Sequence, residues 1–370
     1  MKREISRRTF LKETAIAITG CSLLFRSGTS VAKDSLKEAR YYVKLPGQRI
    51  RCELCPWQCM VEEGKRGICE VRENRKGIYY SLVYGHVVAQ HLDPIEKKPF
   101  FHFLPSSTAF SIATVGCNFN CKYCQNWDIA QRRPEEMETP YISPEEIVRL
   151  AKRSGSDSVA YTYTEPVIFT EFVYDVSVEA RKAGLRNVII SNGFISQKPL
   201  LDLTRVIDGY KVDLKAFEEN FYRDIVEGML QPVLDTLITL KAQNVWTEIV
   251  YLVVPTLNDQ DASFRNMAKW VLKELGPDVP VHFSRFYPQY KLQKLPPTPT
   301  ATLERAWNIA REVGLHYVYL GNIPGHPAEN TYCPNCNKLL IRRRGFLVME
   351  NFLQNGRCSF CGQRIPGVWS

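Results

Sequence analysis

Cys117, Cys121 and Cys124 stand in the run Val-Gly-Cys-Asn-Phe-Asn-Cys-Lys-Tyr-Cys-Gln-Asn, a C-x₃-C-x₂-C spacing. Three thiolates so placed can hold three corners of a cubane [4Fe–4S] cluster and leave the fourth iron without a cysteine ligand. An open metal position is where chemistry occurs, whereas a closed ligand set usually only holds structure. The spacing therefore predicts a reactive iron–sulfur centre. A zinc knuckle lacking one ligand, or three buried thiols, is the structural alternative.

Eleven of the twelve cysteines fall into three such sets. Close pairs suit metal sites better than disulfide frameworks, because neighbours in sequence converge on one ion. At the C-terminus, Cys333-Pro-Asn-Cys336 and Cys358-Ser-Phe-Cys361 are separated by 21 residues. Two knuckles at that separation close a tetrahedral site, so a structural zinc is expected, with a rubredoxin-like iron chemically allowed. At the N-terminus, Cys52, Cys55, Cys59 and Cys69 follow C-x₂-C-x₃-C-x₉-C, with glycines at 64 and 67 suited to a tight metal-wrapping loop. That set predicts a metal centre, either a second zinc or an auxiliary iron–sulfur cluster, over four reduced thiols.

The 370 residues have an ordinary globular composition and a net charge of +9, which excludes collagen-like, repeat and disordered classes. Part of the charge lies at the extreme N-terminus and part in Arg342-Arg343-Arg344. Such an excess reads as solvated surface rather than as a nucleic-acid footprint. Ser6-Arg7-Arg8-Thr9-Phe10-Leu11-Lys12 matches a twin-arginine export motif, followed by a short apolar stretch and Ser30-Val31-Ala32 as a small-residue cleavage site. The stretch is too short and weakly apolar for a membrane span. Residues 1–32 are thus expected to be a leader that takes the folded protein to the cell envelope. The alternative is a cytoplasmic protein with its leader uncleaved. Ile18-Thr19-Gly20-Cys21 resembles a lipobox, but Cys21 reads first as a small apolar residue of the signal core and second as a lipid anchor.

The elements that must position the first cysteine set are legible from about residue 108. Ala109–Val115 reads as a buried strand leading straight into the cysteine loop. Ser143-Pro144-Glu145-Glu146 is a capping box opening a helix to about Arg153. Strands are expected at 158–163, 187–191, 210–214, 248–254 and 281–286. Helices are expected at 169–183, 198–206, 231–242, 262–275 and 302–313. His316–Leu320 is a candidate further strand. About six β/α units with short connections predict an α/β fold, a partial (β/α)₆ barrel with a parallel sheet, rather than an open dinucleotide-binding sheet. The cysteine loop then leaves its strand at the C-terminal end, where barrel sites lie. The expected division is a leader at 1–32, an N-terminal cysteine-bearing module at 40–107, the barrel at 108–325 and a zinc-ribbon-like module at 326–370.

Further motifs occur in order along the chain: Asp93-Pro-Ile-Glu-Lys-Lys-Pro-Phe-Phe-His-Phe103, Tyr161-Thr-Tyr-Thr-Glu-Pro166, Ser191-Asn-Gly193, Asp213-Leu-Lys215 and His282-Phe-Ser-Arg-Phe286. Together with the three cysteine sets they resemble the radical S-adenosylmethionine (SAM) enzyme of the AmmeMemoRadiSam system. That enzyme is a relative of glycyl-radical-enzyme activases such as pyruvate formate-lyase activating enzyme. The resemblance implies that SAM chelates the open iron and is cleaved reductively to a 5′-deoxyadenosyl radical that abstracts hydrogen. Tyr123 takes the usual aromatic position of the cluster loop. Glu165 would receive the SAM ammonium, with the Thr164 hydroxyl standing in for a lost glycine contact, because Tyr163 and Thr164 replace two glycines of the activases. Ser191 and Asn192 would contact ribose or carboxylate. Lys215 would meet the SAM carboxylate, with Asp213 positioning it or binding ribose, and His282 lies where activases supply a histidine. For Asp93, Glu96 and His102 the only role suggested is docking the N-terminal module.

The resemblance also implies a low-potential electron donor, a protein substrate of activase type, and a Memo-like or AMMECR-type partner. The competing function is a non-catalytic iron–sulfur and zinc scaffold, or electron carrier, in the cell envelope. It is motivated by the leader, since SAM and strong reductants are cytosolic.

Overall fold

From Thr108 onward the chain alternates short apolar strands with amphipathic helices, and each strand pairs with the one before it. The computed structural model describes residues 36–370, which pack as one compact unit from Leu36 to Ser370. The twin-arginine segment and Cys21 lie outside the described residues.

The main sheet has eight strands: β1 (Ala89–Pro94), β2 (Thr108–Ala113), β3 (Ser158–Tyr161), β4 (Arg186–Ser191), β5 (Gly209–Asp213), β6 (Trp246–Val253), β7 (Val281–Arg285) and β8 (Val318–Gly321). They lie side by side in sequence order, β1 antiparallel to β2 and all later pairs parallel. The two edges, β1 and β8, do not pair, so the barrel is open. The six expected units are present, and the His316–Leu320 run adds a seventh parallel strand. Among the described residues, no helix is long and apolar enough to cross a membrane.

Helix starts and stops follow local chemistry. The helix Pro144–Arg153 begins where Ser143 Oγ accepts the Glu146 N–H at 3.2 Å, with proline in its first turn. The helix Thr300–Val313 ends at Gly314, whose φ of 114° favours glycine. One face of the sheet packs on these helices through residues such as Ile112, Tyr161, Ile189, Val212, Ile249 and Phe283, all fully buried.

The opposite face lines the barrel lumen, and the segment Asp93–Phe103 fills its floor. Phe100 and Phe103 pack with Ala109, Ala160 and Val188. The N–H groups of Phe101 and His102 donate to the Glu248 carboxylate at 2.8–3.0 Å. His102 Nδ1 meets Pro366 O at 2.7 Å, its Nε2 meets the Tyr319 hydroxyl at 2.6 Å, and Arg343 Nη2 donates to Phe101 O at 2.7 Å. The segment therefore ties the barrel floor to the C-terminal module. This also corrects the reading of the triple arginine as plain surface. Along the strand Leu339–Arg344 side chains alternate, so Arg343 turns inward and is buried while Arg342 pairs with Glu350 at 2.7 Å outside.

Candidate functional site

The loop carrying Cys117, Cys121 and Cys124 leaves β2 at the C-terminal end of the parallel sheet and is strapped from several sides. Lys122 N–H donates to Ile225 O at 3.0 Å, Asn120 Nδ2 to Glu227 at 2.9 Å, and Lys291 N–H to Lys122 O at 2.9 Å. Asn118 Nδ2 donates to Phe194 O at 2.9 Å while its Oδ1 accepts from Asn192 at 2.8 Å. Gly116 opens the loop at φ 94°, and a Cβ there would lie 2.5 Å from Val71 Cγ1 and 3.0 Å from Cys69 O. Gly116→Ala is therefore expected to destabilise the protein by about 1–3 kcal/mol and to lower its iron content. A wild-type melting curve and iron load would contradict this account of the loop.

All three thiols are free, and burial pushes each above its ordinary range. Each feels the charge of a neighbour: Cys117 that of Glu165, Cys121 and Cys124, and Cys121 that of Lys215 and then Cys124. Their sulfurs nevertheless do not lie within 4.8 Å of one another, as ligands of a single ion would; among the described residues only the C-terminal quartet does. Three inward thiols around a space wider than one ion fit a cubane cluster bound at three corners. Tyr123 packs beside them, with its hydroxyl buried and without a partner.

Strand ends supply the rest. β5 carries Lys211 and Asp213 at period two, and Lys215 continues the same face. Lys211 pairs with one Asp213 oxygen, and Lys215 Nζ lies 3.1 Å from the other. Burial alone would raise the Asp213 carboxyl, but the two lysine charges hold it down at about 2. Burial likewise disfavours charge on Lys215, yet Asp213 and then Cys121 outweigh it and keep the ammonium charged. A fixed cation thus stands between a carboxylate and the thiols.

Glu165 follows β3 and is buried, and among the described residues it has no cation in contact. It accepts the Val167 N–H at 3.0 Å, the Ser191 hydroxyl at 2.7 Å and the Asn192 N–H at 2.8 Å. Burial pushes its carboxyl up to about 7 against those three donors. The structure thus joins Glu165, Ser191 and Asn192 into one unit. The Thr164 hydroxyl donates to Thr114 O at 2.8 Å, which ties the end of β3 to the end of β2.

Tyr163 adopts φ 65°, the left-handed conformation that glycine takes readily. Its carbonyl accepts from Asn126 of the cysteine loop at 2.6 Å, its phenol donates to Asp93, and Lys98 Nζ lies 4.3 Å from its ring centroid. Those contacts hold the strained residue in place.

His282 lies on the expected strand, with a polar partner at the floor of the sheet. It sits at the start of β7, its Nε2 is 2.7 Å from Glu248, and its ring stacks on Tyr319. It is a floor residue whose outer ring nitrogen is already engaged. A cavity of about 490 Å³ does connect the levels, lined by Tyr123 and Gln125 from the loop, Leu252 and Ser284 from the sheet, and Phe101 and His282 below. Sequence reasoning missed Lys211, Asn118 and the Asp93–Tyr163 pair. Only Lys211 left a signal, its period-two spacing from Asp213.

The C-terminal quartet has the geometry of a one-ion site. Cys333 and Cys361 sulfurs lie 3.6 Å apart and those of Cys336 and Cys358 3.7 Å apart, close to the edge of a metal–thiolate tetrahedron. The Gln363 N–H, followed by the Asn335 amide, draws the Cys361 thiol down to about 6, towards the thiolate a metal needs.

Residues 111–268 match the Radical SAM superfamily. An uncharacterised protein of Methanocaldococcus jannaschii is 46% identical over 335 residues, covering 90% of this chain and 100% of that protein. Pyruvate formate-lyase 1-activating enzyme of Escherichia coli is 25% identical over 214 residues, covering 54% of this chain and 87% of that enzyme. Among solved structures, Streptococcus suis SuiB bound to S-adenosylmethionine superposes with a TM-score of 0.46 at 12% identity, over 62% of this chain and 53% of that one. The chain carries a radical SAM domain, whose superfamily cleaves S-adenosylmethionine by a radical mechanism, and it is homologous to pyruvate formate-lyase activating enzyme.

Proposed function

We propose that the protein is an activase-like radical enzyme that abstracts hydrogen from a protein substrate. Bound together, the cluster and SAM supply a 5′-deoxyadenosyl radical; the chain's own residues hold, orient and shield. Cys117, Cys121 and Cys124 hold the cluster. Lys215, fixed by Asp213 and facing the thiols, is the natural partner for the SAM carboxylate. Glu165, buried and lacking a cation, is available to the SAM ammonium, with Ser191 and Asn192 setting its orientation. The low-potential electron comes from a separate donor.

The observation that carries this reading is the Lys215–Asp213 pair standing close to Cys121 of the cysteine loop, beside a cavity that Tyr123 and Gln125 of the same loop line and that half-exposed Tyr287 and Phe346 also border. That aromatic mouth suits a polypeptide segment entering beside the loop. Lys215→Met is expected to weaken SAM binding about 10- to 100-fold, the loss of one charge-assisted contact, while Lys211 keeps Asp213 paired. Unchanged SAM affinity would remove Lys215 from the site. For the substrate, deuterium from a perdeuterated partner protein should appear in 5′-deoxyadenosine. Label arriving only from small molecules would overturn the protein-substrate reading.

A further inference from the structure

Cys52, Cys55, Cys59 and Cys69 take no part in the site above, yet the fold gathers them. Cys52 ends the strand Ile50–Cys52, and its N–H donates to Cys59 O at 2.9 Å. A turn in which Gln58 N–H donates to Cys55 O at 3.1 Å folds the first knuckle back. The Ile68 N–H points at Cys59 Sγ at 3.5 Å, which brings the Cys69 arm across. These contacts fold the four cysteines of the N-terminal module towards one another.

The size of that space distinguishes its occupant. Around a single zinc, thiolate sulfurs sit about 3.8 Å apart, as the ribbon thiols do. Among the described residues only the ribbon quartet is gathered to one-ion dimensions, with its sulfurs within 4.8 Å of one another; neither the N-terminal quartet nor Cys117, Cys121 and Cys124 form such a group. Wider spacing is what several irons with bridging sulfides require.

A second observation points to sulfide. Tyr79 is fully buried with its hydroxyl unpartnered, and buried Arg72 has an unpartnered Nε. Both interact electrostatically with Cys52 and Cys69. A Cβ at Gly67 would lie 2.8 Å from Tyr79 Oη and 3.5 Å from Cys59 Sγ, so hydroxyl and thiol face the same small volume. Buried donors left unmade are costly, and cluster sulfides and thiolates accept such hydrogen bonds. The quartet also touches the first site: Gly116 abuts Cys69 O, and Trp57 Nε1 donates to Asn118 O at 2.8 Å.

We propose that Cys52, Cys55, Cys59 and Cys69 bind a polynuclear iron–sulfur cluster rather than a single zinc ion. The four thiols release their protons to solvent as they ligate iron. On the function proposed above, this cluster takes one electron from a low-potential donor protein and is reoxidised as it passes that electron to the cluster beside it.

The test reconstitutes wild type and a Cys117→Ala/Cys121→Ala/Cys124→Ala variant anaerobically with iron and sulfide. Iron, acid-labile sulfide, zinc and the EPR spectrum after dithionite reduction are then measured. The variant should keep about half of the wild-type iron with matching sulfide and give a reduced-cluster EPR signal. Cys55→Ser/Cys59→Ser should lose the complementary half. A triple variant without iron and sulfide, or zinc that disappears on Cys55→Ser/Cys59→Ser replacement, would overturn the assignment. The triple variant decides the matter even if the serine variant does not fold. Its metal content is also independent of whether wild type cleaves SAM.

Discussion

Glu171→Gln is expected to destabilise the fold by about 3–5 kcal/mol, because it leaves the Arg72 guanidinium charged and unpaired in the interior. Arg72 lies on the strand Arg72–Arg75 of the N-terminal module, and Glu171 opens the helix Thr170–Lys182 that packs on the main sheet. Both side chains are fully buried and meet in a fork, Nη2–Oε1 at 2.5 Å and Nη1–Oε2 at 3.2 Å. Glu171 also accepts the Arg40 N–H at 2.6 Å. Burial alone would lower the Arg72 pKa, but the Glu171 charge overrides it, and a guanidinium cannot shed its proton in the substituted protein. Gln keeps the shape and part of the hydrogen bonding but removes the neutralising charge. Urea unfolding measures the loss. A change below about 1 kcal/mol, the range of exposed pairs, would show that the module docks by other means. Arg72→Met/Glu171→Met should recover much of the stability, since an apolar pair needs no mutual neutralisation.

The distinction between that pair and the cysteine loop explains what was readable in advance. Ligand spacing in Cys117–Cys124 and in the ribbon is local, so a few adjacent residues specify the chemistry. The Ser143 cap is equally local and placed its helix within two residues. Arg72–Glu171 and Asp93–Tyr163 join residues far apart in sequence, and only the packed fold reveals them. Lys211 was hidden for a different reason: its period-two relation to Asp213 was visible, but pairing depends on which face of β5 turns to the lumen. The motif located His282 on its strand, but its pairing with Glu248 is a long-range contact that only the fold reveals. At Tyr163 the departure from glycine raised doubt about the backbone. The chain holds the left-handed conformation through contacts with Asp93, Lys98 and Asn126, and sequence alone shows none of these.

Cys121→Ala should abolish SAM cleavage while leaving the ribbon intact. Cys121 is buried and feels both Lys215 and Cys124, so its removal would take away one of the three thiolates that would hold the cluster. The effect should be all-or-none, unlike Lys215→Met, because the reaction has no route without the cluster. The most direct measurement is release of 5′-deoxyadenosine from SAM by the anaerobically reconstituted, dithionite-reduced protein, with Cys121→Ala as the control. Release by wild type and background levels from Cys121→Ala are the predicted result. Absence of release from wild type carrying a full complement of iron and sulfide, or equal release from both proteins, would contradict the assignment of Cys117, Cys121 and Cys124 as the reactive centre.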